Sequence, residues 1–112
     1  MKKLCVLLLL TVSLFANAKE YTFSPKDVPA MKQLLGSGNL QPGDAVVLKD
    51  GTYHNLEEIH FTGKGVFGKP IVWRAENPGR AVVSGKLRLK IYGEYLQLED
   101  LLFYKAWAIG HD

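Results

Sequence analysis

The chain has 112 residues, a formal net charge of +3, a single cysteine and 47% hydrophobic residues. This length allows at most one small domain, and the hydrophobic content excludes an intrinsically disordered chain. A single cysteine excludes a disulfide framework, a cysteine-based zinc site and, because Cys5 lies in the N-terminal apolar run, a thiol nucleophile in the folded part.

The N-terminus has the pattern of a secretory signal peptide. Lys2 and Lys3 precede an apolar run over residues 4–15, and Ala16-Asn17-Ala18 provides an A-x-A cleavage site. We therefore predict a leader over residues 1–18, cleaved after Ala18, and a secreted or periplasmic protein. The run is shorter than the about 20 residues that span a bilayer. Removing the two lysines lowers the net charge from +3 to +1, which argues against a nucleic-acid binder.

A short helix is predicted at the start of the mature chain, after a lead-in over residues 19–23. Asp27 is a suitable N-cap residue, and Pro29 is tolerated in a first helical turn. Apolar residues then recur at near-helical spacing over 28–35, and the Gly36-Ser37-Gly38 sequence ends the pattern. The predicted helix is amphipathic and spans 28–35.

Short apolar runs separated by turn residues predict strands in the rest of the chain. Pro42-Gly43 suits a type II turn, Asp50-Gly51 marks a second turn, and Pro70 is expected to open a strand. The predicted strands centre on residues 45–48, 59–61, 71–73, 81–83, 87–91, 95–98 and 101–104.

A repeat of 25 residues predicts the architecture. Val46, Ile71 and Leu96 are 25 apart, as are Leu48, Trp73 and Leu98, and the runs around Ile59, Val82 and Trp107 recur at a similar interval. Coils of this length with short strands in one direction are typical of a parallel β-helix, in which the helix would cover the first coil. An antiparallel β-sandwich also has short strands at such intervals, so the pattern alone leaves both folds open.

The last predicted coil ends on apolar residues with no capping element after them, namely Leu101, Leu102, Phe103 and Trp107. Terminal repeats need a polar outer face. We therefore expect residues 19–112 to be the N-terminal cap and first three or so coils of a longer protein. We also expect this stretch to aggregate when it is produced alone.

An ordered series of segments resembles the beginning of polysaccharide lyase family six, the alginate lyases related to chondroitinase B. The segments include Pro42-Gly43-Asp44, Asp50-Gly51-Thr52-Tyr53 and Gly93-Glu94-Tyr95-Leu96, and together they cover 40–53, 63–65, 68–75, 77–79, 83–85, 91–96 and 101–103. The first part is common among secreted β-helix proteins, and the run from Gly65 to Phe103 is more specific.

The resemblance implies a right-handed parallel β-helix that cleaves uronic-acid polysaccharides, alginate or a glycosaminoglycan, by β-elimination. It implies a Ca²⁺ ion on the uronate carboxylate, a lysine that removes the C5 proton and an assisting arginine. Those catalytic residues and the Asn and Glu calcium ligands would lie beyond Asp112. We therefore expect no catalytic, cofactor-binding or metal-binding residue in this chain, whose matched positions are scaffold.

Several charged clusters are candidate sites, although each also has a purely structural interpretation. Gly63 to Gly68 forms a G-x-G-x-x-G sequence, but a strand follows it where a nucleotide fold needs a helix, so a turn is favoured. Adjacent strand residues point to opposite faces, so Glu57 and Glu58 should not converge on one site. The other candidates are His54, His60, Glu99 and Asp100, for which solvated positions are favoured, and the terminal His111 and Asp112, which could supply ligands to a neighbouring coil.

Basic and aromatic side chains are candidate contacts for an anionic glycan. The basic set is Lys49, Arg74, Lys86, Arg88 and Lys90, in which alternation places Arg88 and Lys90 on one outward strand face. Trp73 has a core register, Trp107 is a candidate sugar platform, and Tyr92 and Tyr95 are expected to pack at a turn.

Three functional hypotheses remain at this point. The first is a fragment of a uronate-polysaccharide lyase that is inert by itself. The second is a non-catalytic glycan-binding or structural β-helix module, and the third is another β-helix carbohydrate enzyme such as a mannuronan epimerase.

Overall fold

The computed structural model describes residues 18–108, with side chains as far as Ala106. It contains one helix, α1 (Val28–Ser37), preceded by a 3₁₀ turn at Pro25–Asp27. The strands are β1 (Glu20–Phe23), β2 (Ala45–Leu48), β3 (Gly51–His54), β4 (Glu57–Lys64), β5 (Ile71–Ala75), β6 (Ala81–Glu94), β7 (Leu96–Glu99) and β8 (Leu102–Ala108). Within this part of the chain, no helix has the length and hydropathy needed to cross a membrane.

All paired strands among the described residues run parallel. One sheet has the order β1-β2-β5-β7, and the other has the order β3-β6-β4 with β8 also paired to β6. Successive coils therefore stack on one another, β2-β3-β4 first, then β5-β6, then β7-β8. This arrangement is a parallel β-helix, as predicted, and the antiparallel sandwich is wrong. The antiparallel contact seen here is an isolated bridge between Val66 and Lys69.

The predicted 25-residue register is right for one pair of coils and wrong for the other. Ile71 pairs with Leu96 and Trp73 with Leu98, as the repeat predicts. Val46 pairs with Trp73 and not with Ile71, a shift of two residues. A shift of two keeps the same side chains on the same face, so the apolar pattern does not reveal it.

The other predicted register, through Ile59, Val82 and Trp107, is also wrong. Ile59 pairs with Leu89, thirty residues further along the chain. Val82 pairs with Thr52 on one side and with Leu102 on the other. The two sheets therefore have different offsets, because the loops between strands differ in length from coil to coil.

Two elements cover the first coil. The helix forms where it was predicted and extends to Ser37, where Gly38 ends it in the left-handed conformation, with φ 76°. Asp27 acts one turn earlier than expected: its Oδ2 accepts hydrogen bonds from the Ser24 nitrogen (3.1 Å) and hydroxyl (2.9 Å), which lower the pKa of Asp27. The predicted lead-in is instead a strand, since β1 pairs with β2.

Strand β6 is longer than any predicted strand, because it runs through Gly85 without a break. Gly63, the first residue of the predicted Gly63–Gly68 turn, lies instead in β4, where it is paired with Gly93 of β6. Strand β3 was not predicted. It begins at Gly51, the second residue of the predicted turn.

The core lies between the two sheets and consists of alternating inward side chains. Trp73 is fully buried, and its ring meets Phe61 edge-on at a centroid distance of 6.2 Å. Buried apolar residues come from every element of the first coil and from the start of the second, namely Met31, Leu35, Leu40, Val46, Leu48, Tyr53, Leu56, Ile59, Phe61, Ile71, Trp73, Ala75, Ala81 and Val83.

The second half of β6 and the third coil are much less covered than the first coil. Leu87, Leu89, Leu96, Leu98 and Leu101 are only partly buried against the core. Beyond them, Ile91, Leu102 and Phe103 are exposed. The inward face of the last described coil is therefore an apolar surface.

Tyr53 of β3 joins the second sheet to strand β1 and to the loop after β2. Its hydroxyl donates to the Lys49 carbonyl (2.8 Å) and also lies 3.2 Å from the Phe23 carbonyl oxygen. Burial, with smaller contributions from Asp27, Asp50 and Glu76, raises the pKa of Tyr53 from 10.0 to about 12. The neutral phenol is thus the form that the fold accommodates.

The raised pKa of Tyr53 predicts a loss of stability in alkali. Between pH 10.0 and about 12 the unfolded chain releases this proton while the folded chain retains it, so stability falls as pH rises through this range. The difference in ultraviolet phenolate absorbance between the wild type and Tyr53→Phe should show one tyrosine that ionises only near pH 12. A Tyr53→Phe variant should also lose part of the alkaline destabilisation. Titration of Tyr53 together with the exposed tyrosines would contradict this prediction.

Candidate functional site

A polar cluster lies on the outward face of β4 and β6. Glu58 and His60 are two residues apart on β4 and therefore share this face, and His60 is paired with Lys90 on β6. The Oε1 atom of Glu58 lies 3.3 Å from His60 Nε2 and 3.4 Å from Lys90 Nζ. Hydrogen bonds from His60 and then from Lys90 lower the pKa of Glu58. Both partners therefore hold this carboxylate in its charged form.

The other members of the predicted acidic and histidine cluster lie elsewhere. Glu57 is exposed, with a backbone φ of 62°, and does not converge with Glu58. His54 is on β3, where its Nδ1 atom lies 2.9 Å from the Ser84 hydroxyl oxygen of β6. Among the described residues, no three His, Cys, Asp or Glu side chains are grouped so that they could hold a metal ion.

Replacing Lys90 with methionine should raise the pKa of Glu58 toward its usual 4.5, because one of its two hydrogen-bond donors is removed. A carboxyl group with a lowered pKa in the folded state stabilises the fold at any pH above its usual pKa. This stabilisation is lost as the pH falls through the folded-state pKa. An NMR titration of the Glu58 carboxyl carbon measures the change. Lys86→Met on the same strand is the control and should have no effect. An unchanged pKa in Lys90→Met would refute the assigned contact.

Tyr92 connects this cluster to a groove. Its ring is tilted against His60 at a centroid distance of 5.8 Å, and about half of the residue is exposed. The groove has a volume of about 510 Å³. It is lined by Gly38, Leu40, Gln41, Pro42, Thr62, Gly63, Lys64, Tyr92 and Gly93. Its size falls in the range of small-molecule and saccharide pockets.

The groove combines an aromatic ring, a hydroxyl and a cation. Gly63 of β4 and Gly93 of β6 are paired with each other and line the groove. Thr62 and Lys64 point outward from β4 beside Tyr92, and neither side chain has a hydrogen-bond or ion-pair partner among the described residues. Such groups suit an anionic sugar ring, for which an aromatic face and a free ammonium are typical contacts.

The G-x-G-x-x-G sequence occupies a turn between coils. Its first residue, Gly63, still belongs to β4. Residues 66–69 then form a tight turn closed by the bridge between Val66 and Lys69, and strand β5 follows. Phe67 at its tip is 87% exposed. No helix begins here, so the arrangement lacks the helix N-terminus that a dinucleotide phosphate needs.

The predicted basic stripe is divided between two sheets. Arg74 is on β5, where it pairs with Glu20 of β1 at 2.6 Å. Lys86, Arg88 and Lys90 alternate on β6, as the sequence predicts. Lys49 lies in the loop between β2 and β3. The five cations therefore do not form one continuous track.

The remaining candidates are placed as follows. Trp73 is a core residue, as predicted. Tyr95 is half-exposed between β6 and β7, Glu99 accepts a hydrogen bond from the Gln97 amide, and the Asp100 carbonyl accepts one from the Gly79 nitrogen at 2.9 Å. His111 and Asp112 lie outside the described residues, and the Trp107 side chain is not among those described.

Stacked parallel coils with a capped first turn define this chain as a β-helix protein. The Chondroitinase B family profile matches residues 30–109, and the chain belongs to that family. The same family therefore accounts for the glycines and apolar positions that the sequence analysis matched to polysaccharide lyase family six.

Solved structures agree with this assignment. The chain is 95% identical, with a TM-score of 0.82 over 84% of its length, to a mannuronic acid specific polysaccharide family 6 lyase from human gut microbiota. It is 26% identical to the PL6 family alginate lyase AlyGC (TM-score 0.65) and 25% identical to the PL6 family lyase Pedsa3628 of Pseudopedobacter saltans (TM-score 0.58), over 81% of its length in both cases. It spans 21%, 12% and 19% of these three proteins. No curated protein matches the chain.

Proposed function

We propose that this chain forms the N-terminal cap and first coils of a polysaccharide lyase that acts on mannuronate-containing alginate. The observation that carries the proposal is the 95% identity to a mannuronic acid specific family 6 lyase, of which the chain spans 21%. The parent activity is therefore the cleavage of a uronate glycan by β-elimination.

The chemical problem in this reaction is the C5 proton beside the uronate carboxylate. It is weakly acidic until the charge of the carboxylate is neutralised, which is the task that calcium would perform in this family, with a lysine as the base. The residues described here do not fit a calcium centre, since no three acidic or histidine side chains converge among them. No step through calcium is therefore assigned to this chain, and we propose that the ligands and the base belong to later coils.

This chain then contributes a structural cap, a stacking surface and a charged groove to the lyase. Strand β1 covers the edge of β2, and α1 packs against β4, so these two strands of the first coil are covered on their N-terminal side. The apolar face of the third coil gives the next coil a surface on which to stack. The groove at Tyr92 and Lys64 adds a surface on which an anionic sugar can rest.

We propose export of the protein as well, with residues 1–18 as the leader and cleavage after Ala18. Residues 1–17 lie outside the described part of the chain. The support is the sequence pattern alone, together with the requirement that the enzyme meets its polymeric substrate outside the cytoplasm.

The test is product formation from alginate, followed by the ultraviolet absorbance of the unsaturated uronide. This chain alone should give no absorbance change with or without calcium. A polypeptide extended to the length of the family 6 relative should give one, and its activity should be lost on chelation. A binding module would be retained on alginate and give no product in either form, which would overturn the proposed lyase.

A further inference from the structure

Asp44 is a buried carboxylate for which the described residues provide no side-chain cation. It is 2% exposed and lies in the turn between α1 and β2. Its Oδ2 atom accepts a hydrogen bond from the Gln41 nitrogen at 2.8 Å, and its Oδ1 atom accepts one from the Lys19 nitrogen at 3.0 Å. A buried carboxylate is costly without a counter-ion. Two neutral backbone donors reduce that cost but do not neutralise the charge.

The Lys19 nitrogen is held in place by the fold. The Lys19 carbonyl accepts a hydrogen bond from the Ala45 nitrogen at 2.8 Å, and β1 begins at the next residue and pairs with β2 in register. The Lys19 side chain takes no part in these contacts. The main-chain nitrogen of residue 19 is thus aimed at Asp44, whatever precedes it in the chain.

We propose that the leader is removed at this contact and that the α-ammonium group of Lys19 created by the cleavage becomes the counter-ion of Asp44. The inference rests on the leader boundary proposed above. Hydrolysis of the bond between Ala18 and Lys19 adds one water: the carboxylate stays on Ala18 and leaves with the leader, and the amine stays on Lys19. A neutral amide donor 3.0 Å from Asp44 is thereby replaced by a cationic one.

The physical consequence is that proteolytic processing completes the N-terminal cap. A free α-amino group has a pKa of about 7.7–8.0, so it is largely protonated at neutral pH. A hydrogen bond between two charged groups is about twice as strong as a neutral one. Strand β1 is therefore anchored more firmly to the turn before β2 after cleavage than before it.

The test is the reactivity of the Lys19 α-amine in the full, processed protein, measured by pulse acylation at neutral pH and mass spectrometry of the N-terminal peptide. An amine that is paired with Asp44 should react about tenfold more slowly than the same amine in Asp44→Asn. Asp50→Asn, which removes an exposed carboxylate at the other end of β2, is the matched control and should leave the rate unchanged. Equal rates in the wild type and in Asp44→Asn would overturn the inference.

A second variant covers the case in which Asp44→Asn fails to fold. A protein that begins at Ala18 moves the ammonium group one residue away and keeps Asp44. It should show the fast acylation rate and a melting temperature that is lower by a few degrees. A melting temperature and rate equal to those of the protein beginning at Lys19 would contradict the ion pair. The same spectra identify the natural terminus: a residue other than Lys19 would overturn the leader boundary and the inference with it, but not the proposed lyase activity.

Discussion

Replacing Trp73 with alanine should lower the free energy of unfolding by about 3–5 kcal/mol. Trp73 is fully buried on β5, stacked between Val46 of the first coil and Leu98 of the third, and Phe61 meets its ring from the opposite sheet. Among the described residues, Trp73 has the largest of the fully buried side chains. The resulting cavity would therefore remove packing from every described coil at once.

Two matched variants separate packing from other effects of the Trp73 change. Phe67→Ala removes an aromatic ring that is 87% exposed and should leave stability unchanged. Trp73→Phe keeps most of the ring and removes the indole nitrogen, which is buried without a hydrogen-bond partner, so its cost should be well below that of alanine. Denaturant unfolding followed by circular dichroism measures all three. Equal stability of Trp73→Ala and Phe67→Ala would contradict the assigned core.

Replacing Gly93 with alanine should destabilise the protein by about 3–5 kcal/mol, from a steric overlap and an unfavourable backbone conformation together. Gly93 has a φ of 137°, and a Cβ atom there would overlap the carbonyl oxygen of Gly63 on the paired strand. The three nearest atoms all belong to the Gly63 backbone, so they have little freedom to move away. The change would push β4 and β6 apart at the floor of the groove.

Gly79→Ala is the control for the backbone contribution to the Gly93 effect. Gly79 also has a positive φ, 73°, but a Cβ atom there meets nothing within 4 Å. We expect a cost of about 1 kcal/mol for this variant, from the left-handed conformation alone. Thermal and denaturant unfolding of the two variants should therefore differ clearly. Similar costs would show that β4 and β6 are further apart at Gly93 than described.

The 25-residue repeat left a parallel β-helix and an antiparallel sandwich both open, and the resemblance to polysaccharide lyase family six favoured parallel coils. The register between the coils was harder to predict. Val46 pairs two residues away from its predicted partner, and an even shift leaves the apolar pattern intact. Strands β1 and β3 were missed, since E-Y-T-F and G-T-Y-H are short and polar. Their stability comes from pairing with distant strands, which local sequence does not reveal.

The polar cluster was only half predictable for the same reason. Glu58 and His60 share a face by simple alternation along β4, which the sequence could have indicated. Lys90 joins them only through a pairing with His60 thirty residues earlier in the chain. The contact between Lys19 and Asp44 is likewise a long-range one and has no local signal in the sequence.

Disulfide trapping tests the central structural claim, parallel stacking of the coils, most directly. The only cysteine of the chain, Cys5, lies in the predicted leader, so introduced pairs have no native competitor. His54 and Ser84 are direct partners on β3 and β6. Paired strands lie about 4.8 Å apart, within disulfide range. Parallel stacking predicts rapid oxidation of His54→Cys with Ser84→Cys and none of Thr52→Cys with Ser84→Cys, whose separation would be about 8 Å. Antiparallel strands would bridge both Thr52→Cys with Ser84→Cys and His54→Cys with Val82→Cys, and that result with failure of the first pair would contradict the account.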